Sequence, residues 1–149
     1  LETIDTILLG RKTYEQFSLI WPDRPGDEEY LADRMNGVKK IVFYNTLKSA
    51  PWGKWPGADI AGGDPVSKIK QLKSLPGKNI VLWASISLAQ ALMKENLIDE
   101  YRIFLCPVLT AGGRKLFTEE MDPAVLQLLA VSHYDSGIIS LTYRPLDHL

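Results

Sequence analysis

The chain has 149 residues, of which 46% are apolar and 23% charged, the balance of a soluble globular protein able to bury one core. A formal net charge of −1 offers no positive field for nucleic acid or an anionic membrane, and no apolar run approaches the roughly 18 residues that cross a bilayer. The single cysteine, Cys106, excludes an internal disulfide and has no Cys or His neighbours at zinc spacing, so no metal site is expected and a reducing cytoplasm is the expected compartment.

The chain opens at Leu1 without methionine or a recognisable secretory leader, and the first strand follows within four residues. The expectation is that an N-terminal piece is missing or that the numbering begins inside a longer chain. Ile4 to Leu9 is short, apolar and β-branched, and is closed by Gly10, so it reads as a buried strand. A helix follows, with Tyr14 and Phe17 on one face, and then the loop Trp21-Pro22-Asp23-Arg24-Pro25-Gly26. Asp27 is a good N-cap, Glu28 and Glu29 suit a first turn, and Gly37 is placed to end that helix in a left-handed position.

Lys40 to Tyr44 predicts a second strand and Ala58 to Ala61 a short third. Asp64-Pro65 starts a helix whose apolar stripe is Val66, Ile69 and Leu72, and Pro76-Gly77 stops it. The lysines at 68, 70, 73 and 78 read as a solvated face. Asn79 to Trp83 is a fourth strand; Ser87, with Gln90 three residues on, reads as a capping box opening the next helix. Glu100 to Val108 reads as a fifth strand that buries Cys106. The glycine loop Ala111-Gly112-Gly113-Arg114 follows, and Leu126 to Tyr134 and Ile138 to Tyr143 form a hairpin around Asp135-Ser136-Gly137. Strands alternating with helices predict a single α/β domain over residues 1–149: a largely parallel sheet covered on both faces, with the hairpin adding antiparallel strands at one edge.

In an open α/β sheet, ligands bind beyond the carboxyl ends of the strands. Two strand-to-helix corners fall there. In Gly10-Arg11-Lys12-Thr13, a glycine allows close backbone approach, and two cations and a hydroxyl flank the free N–H groups of a helix start, the elements of a phosphate site. In Trp83-Ala84-Ser85-Ile86-Ser87, small residues open a second helix start. Neither the dinucleotide fingerprint G-x-G-x-x-G nor the P-loop pattern occurs, and on spacing alone an ordinary helix start with surface cations is as good a reading of the first corner.

The run Asp5-Thr6-Ile7-Leu8-Leu9-Gly10-Arg11-Lys12-Thr13-Tyr14-Glu15 resembles the G-R-x-T-[YW] segment of the dihydrofolate reductase-like superfamily. More narrowly it is similar to the reductase (RibD C-terminal-like) domain of riboflavin biosynthesis. Leu88-Ala89-Gln90-Ala91-Leu92-Met93 leading into Leu97-Ile98-Asp99-Glu100 is similar to that family's helix-to-strand passage. Cys106-Pro107-Val108-Leu109 with Gly112-Gly113-Arg114-Lys115-Leu116-Phe117 is similar to its P-V-x-x-G-x-G-[RK]-x-L-F loop, and the resemblance runs from about Ile4 to Tyr143.

The resemblance implies a dihydrofolate reductase-like α/β/α sandwich, with a mostly parallel central sheet and a C-terminal antiparallel hairpin. It implies NADPH bound across the carboxyl edge, with NADH as the alternative, and hydride transfer to a heterocyclic or sugar-like substrate of the 5-amino-6-(5-phosphoribosylamino)uracil reductase type. By position, Gly10, Arg11, Lys12 and Thr13 would face the cofactor phosphates. Tyr44-Asn45-Thr46-Leu47 matches a turn that holds the adenosine end, which assigns Asn45 and Thr46. Ala84-Ser85 matches a Gly-Gly or Gly-Ser pair beneath the pyrophosphate and nicotinamide; Ile86, Ser87 and Leu88 would supply the helix N-terminus, and Trp83 would stand near the cofactor. Relatives often pair, so a homodimer through the hairpin or the Tyr101 strand is expected.

Tyr44 and Asn45 replace a small residue and a cation, which weakens the grip on a 2′-phosphate unless Lys48 or Arg11 compensates, and Ala84 stands where glycine is usual. Relatives carry a first strand and a substrate loop ahead of this segment, so no catalytic acid is named. His133 and His148 have no partner at triad or metal spacing, and Asp99 and Glu100 face opposite ways on a strand. Trp21, Trp52 and Trp55 either wall a pocket for a flat ring or pin long loops. The alternative function is a nucleotide- or ligand-binding protein without catalysis on the same fold.

Overall fold

The computed structural model describes residues 3–24 and 29–146. Asp27, Glu28, Pro25, Gly26 and His148 lie outside the described residues, as does the side chain of Glu29. The elements in order are β1 (Ile4–Gly10), α1 (Arg11–Ile20), α2 (Glu29–Gly37), β2 (Lys39–Phe43), β3 (Asp59–Ala61), α3 (Pro65–Lys73), β4 (Asn79–Leu82), α4 (Ile86–Lys94), β5 (Tyr101–Leu105), β6 (Leu126–His133) and β7 (Ile139–Pro145). They form a mixed α/β fold in two compact units, residues 1–89 and 90–149, and the boundary falls within α4.

The first unit is built on a parallel sheet in the order β3-β2-β1-β4. β1 is its centre, and Ile7, Leu8 and Leu9 are fully or almost fully buried because both of its faces are covered. Asp5 ties its amino end to β4: the carboxylate accepts the Lys78 N–H at 2.7 Å, at an irregularity in the pairing between Ile4 and Thr6. That hydrogen bond, then the one from Thr6, lowers the Asp5 pKa. Asp64 caps α3 by accepting from the N–H groups of Val66 and Ser67 at 3.2 and 3.0 Å; Ile69 is buried, and Val66 and Leu72 are half-buried beside it on the apolar stripe.

Gly37 does not take the left-handed position expected of it. It is the last residue of α2, and Val38 N–H still reaches the Arg34 carbonyl at 3.0 Å. Carbonyls at this helix end are taken by a cation instead: Lys40 Nζ donates to the Asn36 and Val38 carbonyls at 2.6 and 2.7 Å and lies 4.8 Å from the centre of the Trp52 ring. Asn36 extends the network, donating to the Trp21 carbonyl at 2.9 Å and accepting from the Trp52 indole at 2.6 Å. Trp52 is completely buried and Trp21 nearly so. Of the two readings open for these tryptophans, the pinning of long loops is therefore the one observed for both.

The second unit holds an antiparallel sheet in the order β5-β7-β6. The hairpin forms around Gly137, whose φ of 83° closes the turn. It does not extend a five-stranded parallel sheet, because β5 pairs antiparallel with β7 in a separate sheet. β5 also ends at Leu105, three residues earlier than expected. Pro107 has no N–H for a ladder and the Val108 N–H folds back to the Cys106 carbonyl at 2.8 Å, so Cys106 is exposed rather than a buried strand residue. Ser87 is not the N-cap expected of it either. α4 begins at Ile86, and the Gln90 amide donates to the Lys115 and Leu116 carbonyls at 3.0 and 3.2 Å. No helix among the described residues is long and apolar enough to cross a membrane.

Candidate functional site

Strand order locates the site. From β1 the chain moves to β2 and β3 on one side and then returns to β4 on the other. Connections therefore reverse direction between β1 and β4, and in parallel sheets a crevice opens beyond the carboxyl ends of the strands at such a reversal. Gly10 ends β1, and Ala84-Ser85 follow the end of β4. The two sequence-predicted corners are thus side by side.

The first corner is a bare helix start. Gly10 is the N-cap of α1 in an extended conformation (φ −76°, ψ 165°), and having no side chain it leaves the first-turn N–H groups uncapped. Arg11 and Lys12 are exposed, whereas Thr13 is buried. At the second corner Ala84 and Ser85 both adopt left-handed backbone, φ 52° and 55°, a conformation that costs non-glycine residues energy. Ala84 thus holds a backbone conformation that glycine adopts freely, despite its Cβ.

Ser85 joins the two corners. Its Oγ accepts the Gly10 N–H at 2.8 Å and lies 2.9 Å from Thr13 Oγ1 and 3.1 Å from the Trp83 carbonyl. A Cβ on Gly10 would come 3.2 Å from both Cβ and Oγ of Ser85, a tight contact that glycine avoids. Ile86 and Ser87 open α4 here, but the Leu88 side chain is buried and Trp83 packs against the core. These two residues offer the corner backbone groups more than side chains.

A third loop meets the same edge, since Phe43 at the end of β2 is the register partner of Gly10. The Arg11 guanidinium lies 5.1 Å from the centre of the Tyr44 ring, and its Nε donates to Glu15 Oε1 at 3.1 Å. Tyr44 OH donates to the same oxygen at 3.2 Å. The hydrogen bond to Glu15, with the Glu15 charge beside it, raises the Arg11 pKa, so this cation is held oriented and charged. Asn45 Oδ1 accepts the Gly63 N–H at 3.2 Å, which fixes its side chain to the loop after β3, and Thr46 is exposed beside it.

Glu15 and Tyr44 were not singled out as partners of Arg11 in the sequence. The four-residue spacing of Arg11 and Glu15 on one helix face is the signal that marks that pair. His133 is exposed at the end of β6, and Glu100 pairs with Arg102 at 2.6 Å. No cluster of three or more potential metal ligands occurs among the described residues. A separate hollow of about 350 Å³ in the second unit, lined by residues including Leu105, Cys106, Pro107 and Ile139, is mostly apolar and brings no charged group together.

Residues 1–140 match the family model of the RibD C-terminal domain. The uncharacterized protein YyaP of Bacillus subtilis (strain 168) is 28% identical over 146 residues, covering 97% of this chain and 76% of that protein. Among solved structures, a putative riboflavin biosynthesis protein from Shewanella sp. PV-4 superposes with a TM-score of 0.76 at 24% identity, covering 98% of this chain and 76% of that one. The dihydrofolate reductase of Enterococcus faecalis, solved with NADP(H) and RAB-propyl, gives a TM-score of 0.65 at 18% identity, covering 98% and 77%. The fold is of the reductase type, and the chain belongs to the RibD C-terminal domain family.

Proposed function

We propose that the protein is an NADPH-dependent reductase of the RibD C-terminal type, transferring hydride to a heterocyclic or sugar-like substrate. One observation carries the reading: two helix starts, at Gly10 and at Ser85, meet at the strand-order reversal of a parallel sheet. Their chemistry fits a phosphorylated dinucleotide. The uncapped N–H groups of α1 with Arg11 and Lys12 would hold phosphate oxygens. Arg11 spends its Nε on Glu15, one of the five N–H donors of a guanidinium. Thr46 and Asn45 would border the adenosine end, and Ser85, Ile86 and Ser87 the pyrophosphate end. The Enterococcus structure bound to NADP(H) supports the same choice of cofactor class on this fold. When bound, a nicotinamide dinucleotide supplies the hydride, and the residues named here bind and orient it.

The test is thermal unfolding of the protein with NADPH and, separately, NADH. Ligand at about 100 times its dissociation constant stabilises the native state by about 2.7 kcal/mol, a shift of several degrees in Tm. Absence of any shift with either nucleotide at millimolar concentration rejects the reading. A shift without turnover of any reducible heterocycle selects the non-catalytic binding protein. Pairing of two copies and a cytoplasmic location complete the proposal, and size-exclusion chromatography with light scattering tests the first.

A further inference from the structure

We infer that Ser85 is a positioning residue that sets the direction of the Thr13 hydroxyl proton, and with it the anion affinity of the α1 corner. The inference rests on the cofactor reading above. Three groups lie within 3.1 Å of Ser85 Oγ: the Gly10 N–H, the Trp83 carbonyl and the Thr13 hydroxyl. The first can only donate and the second can only accept; only Thr13 can do either. Ser85 has one proton. When it goes to the Trp83 carbonyl, Thr13 donates to Ser85 and turns its lone pairs toward the corner. When Ser85 donates to Thr13 Oγ1 instead, the Thr13 proton is released to an incoming anion.

Thr13 is buried and β-branched on the first turn of α1, so its rotamer is stiff and its only cheap freedom is rotation of the hydroxyl. Ser85 is held in place by its left-handed backbone and by the Gly10 N–H, so it has little freedom of its own. The two hydroxyls form a relay with two settings. An anion with acceptor oxygens selects the setting in which Ser85 donates to Thr13 and the Thr13 proton points toward the anion, so each hydroxyl is of little use without the other.

The experiment titrates the full chain calorimetrically with NADPH, ADP and adenosine. Ser85→Gly removes the hydroxyl while keeping the positive φ without strain, so folding is retained; Ser85→Ala is the second variant. Thr13→Val removes the other hydroxyl at equal shape. Each single variant is expected to weaken ADP and NADPH about tenfold, the effect of one hydrogen bond to a charged group, and to leave adenosine unchanged. The Ser85→Gly/Thr13→Val double variant is expected to be no weaker than either single one. Amide exchange at Gly10 should accelerate in both Ser85 variants without ligand. Additive losses in the double variant, equal losses for ADP and adenosine, or wild-type ADP affinity in Ser85→Gly overturn the relay while leaving the cofactor reading standing. Failure of the wild type to bind NADPH or NADH overturns both.

Discussion

The Gly10 amide and the Ser85 hydroxyl meet at 2.8 Å although 75 positions separate them in the chain. A Cβ at position 10 would crowd Ser85, coming 3.2 Å from its Cβ and Oγ. The backbone of Gly10 is extended, so alanine there suffers no dihedral strain and only the crowding counts. Gly10→Ala is expected to cost about 1 kcal/mol of stability and to weaken nucleotide binding, because Ser85 must give way by a few tenths of an ångström. In a Ser85→Gly background the same substitution should be nearly neutral. Urea unfolding of the four proteins measures this, and an unchanged Gly10→Ala penalty in that background rejects the crowding account.

Ala84 sits at φ 52° with no side-chain hydrogen bond to hold it there. Ala84→Gly relieves that strain but loosens the unfolded chain. The two effects leave an expected net gain of about 0.5 kcal/mol. Ala84→Val is expected to lose about 2 kcal/mol, since a β-branched residue is poorly tolerated in left-handed backbone. Denaturant midpoints compare the three, and a valine variant as stable as wild type contradicts the assigned backbone.

Asn36 bridges two buried tryptophans through its one side chain. Asn36→Ala leaves the Trp52 indole N–H and the Trp21 carbonyl without this partner, and costs about 2–4 kcal/mol. Asn36→Asp keeps the acceptor for the Trp52 indole N–H but removes the donor, and should fall between alanine and wild type near neutral pH. Tryptophan fluorescence during denaturant unfolding reports both the loss and the altered indole environment.

Burial lowers the Lys40 pKa to about 8. Its unfolded value is near the ordinary 10.5. Below pH 8 both states carry the proton and the group contributes no pH slope. Between about 8 and 10.5 the unfolded chain holds a proton that the folded chain has lost, so stability rises with pH through this window by about 3 kcal/mol. Lys40→Met lacks this slope. The difference in unfolding free energy, wild type minus variant, should therefore increase from pH 8 to 10. A flat difference would falsify the assignment.

Periodicity and turn chemistry make the four-stranded sheet legible. The apolar run from Ile4, the Asp64-Pro65 helix start and the strand from Asn79 all carry local signals that the packing respects. What local signals do not carry is partner choice. β5 is apolar enough for a parallel sheet but pairs antiparallel with β7. Gly37 looks like a helix cap, yet a lysine three residues on takes the carbonyls. Ser87 and Gln90 have capping-box spacing, but the left-handed pair at 84–85 starts the helix earlier. The two corners were readable one at a time; that Ser85 bonds Gly10 and Thr13 depends on strand order, which no window of residues encodes.

The parallel pairing of β1 with β4 also has a kinetic meaning. β1 can meet β2 across the single crossover that holds α1 and α2, but it meets β4 only after most of the first unit has been threaded between them. Closing so long a loop is entropically slow, and contacts of high sequence separation delay folding. The cradle at Gly10 and Ser85 is therefore expected among the last features to form during folding. A chain with β1, β2 and β3 in place would have most of the first unit's core without the paired corners, so a ligand held by the proposed site would latch the final step of sheet assembly.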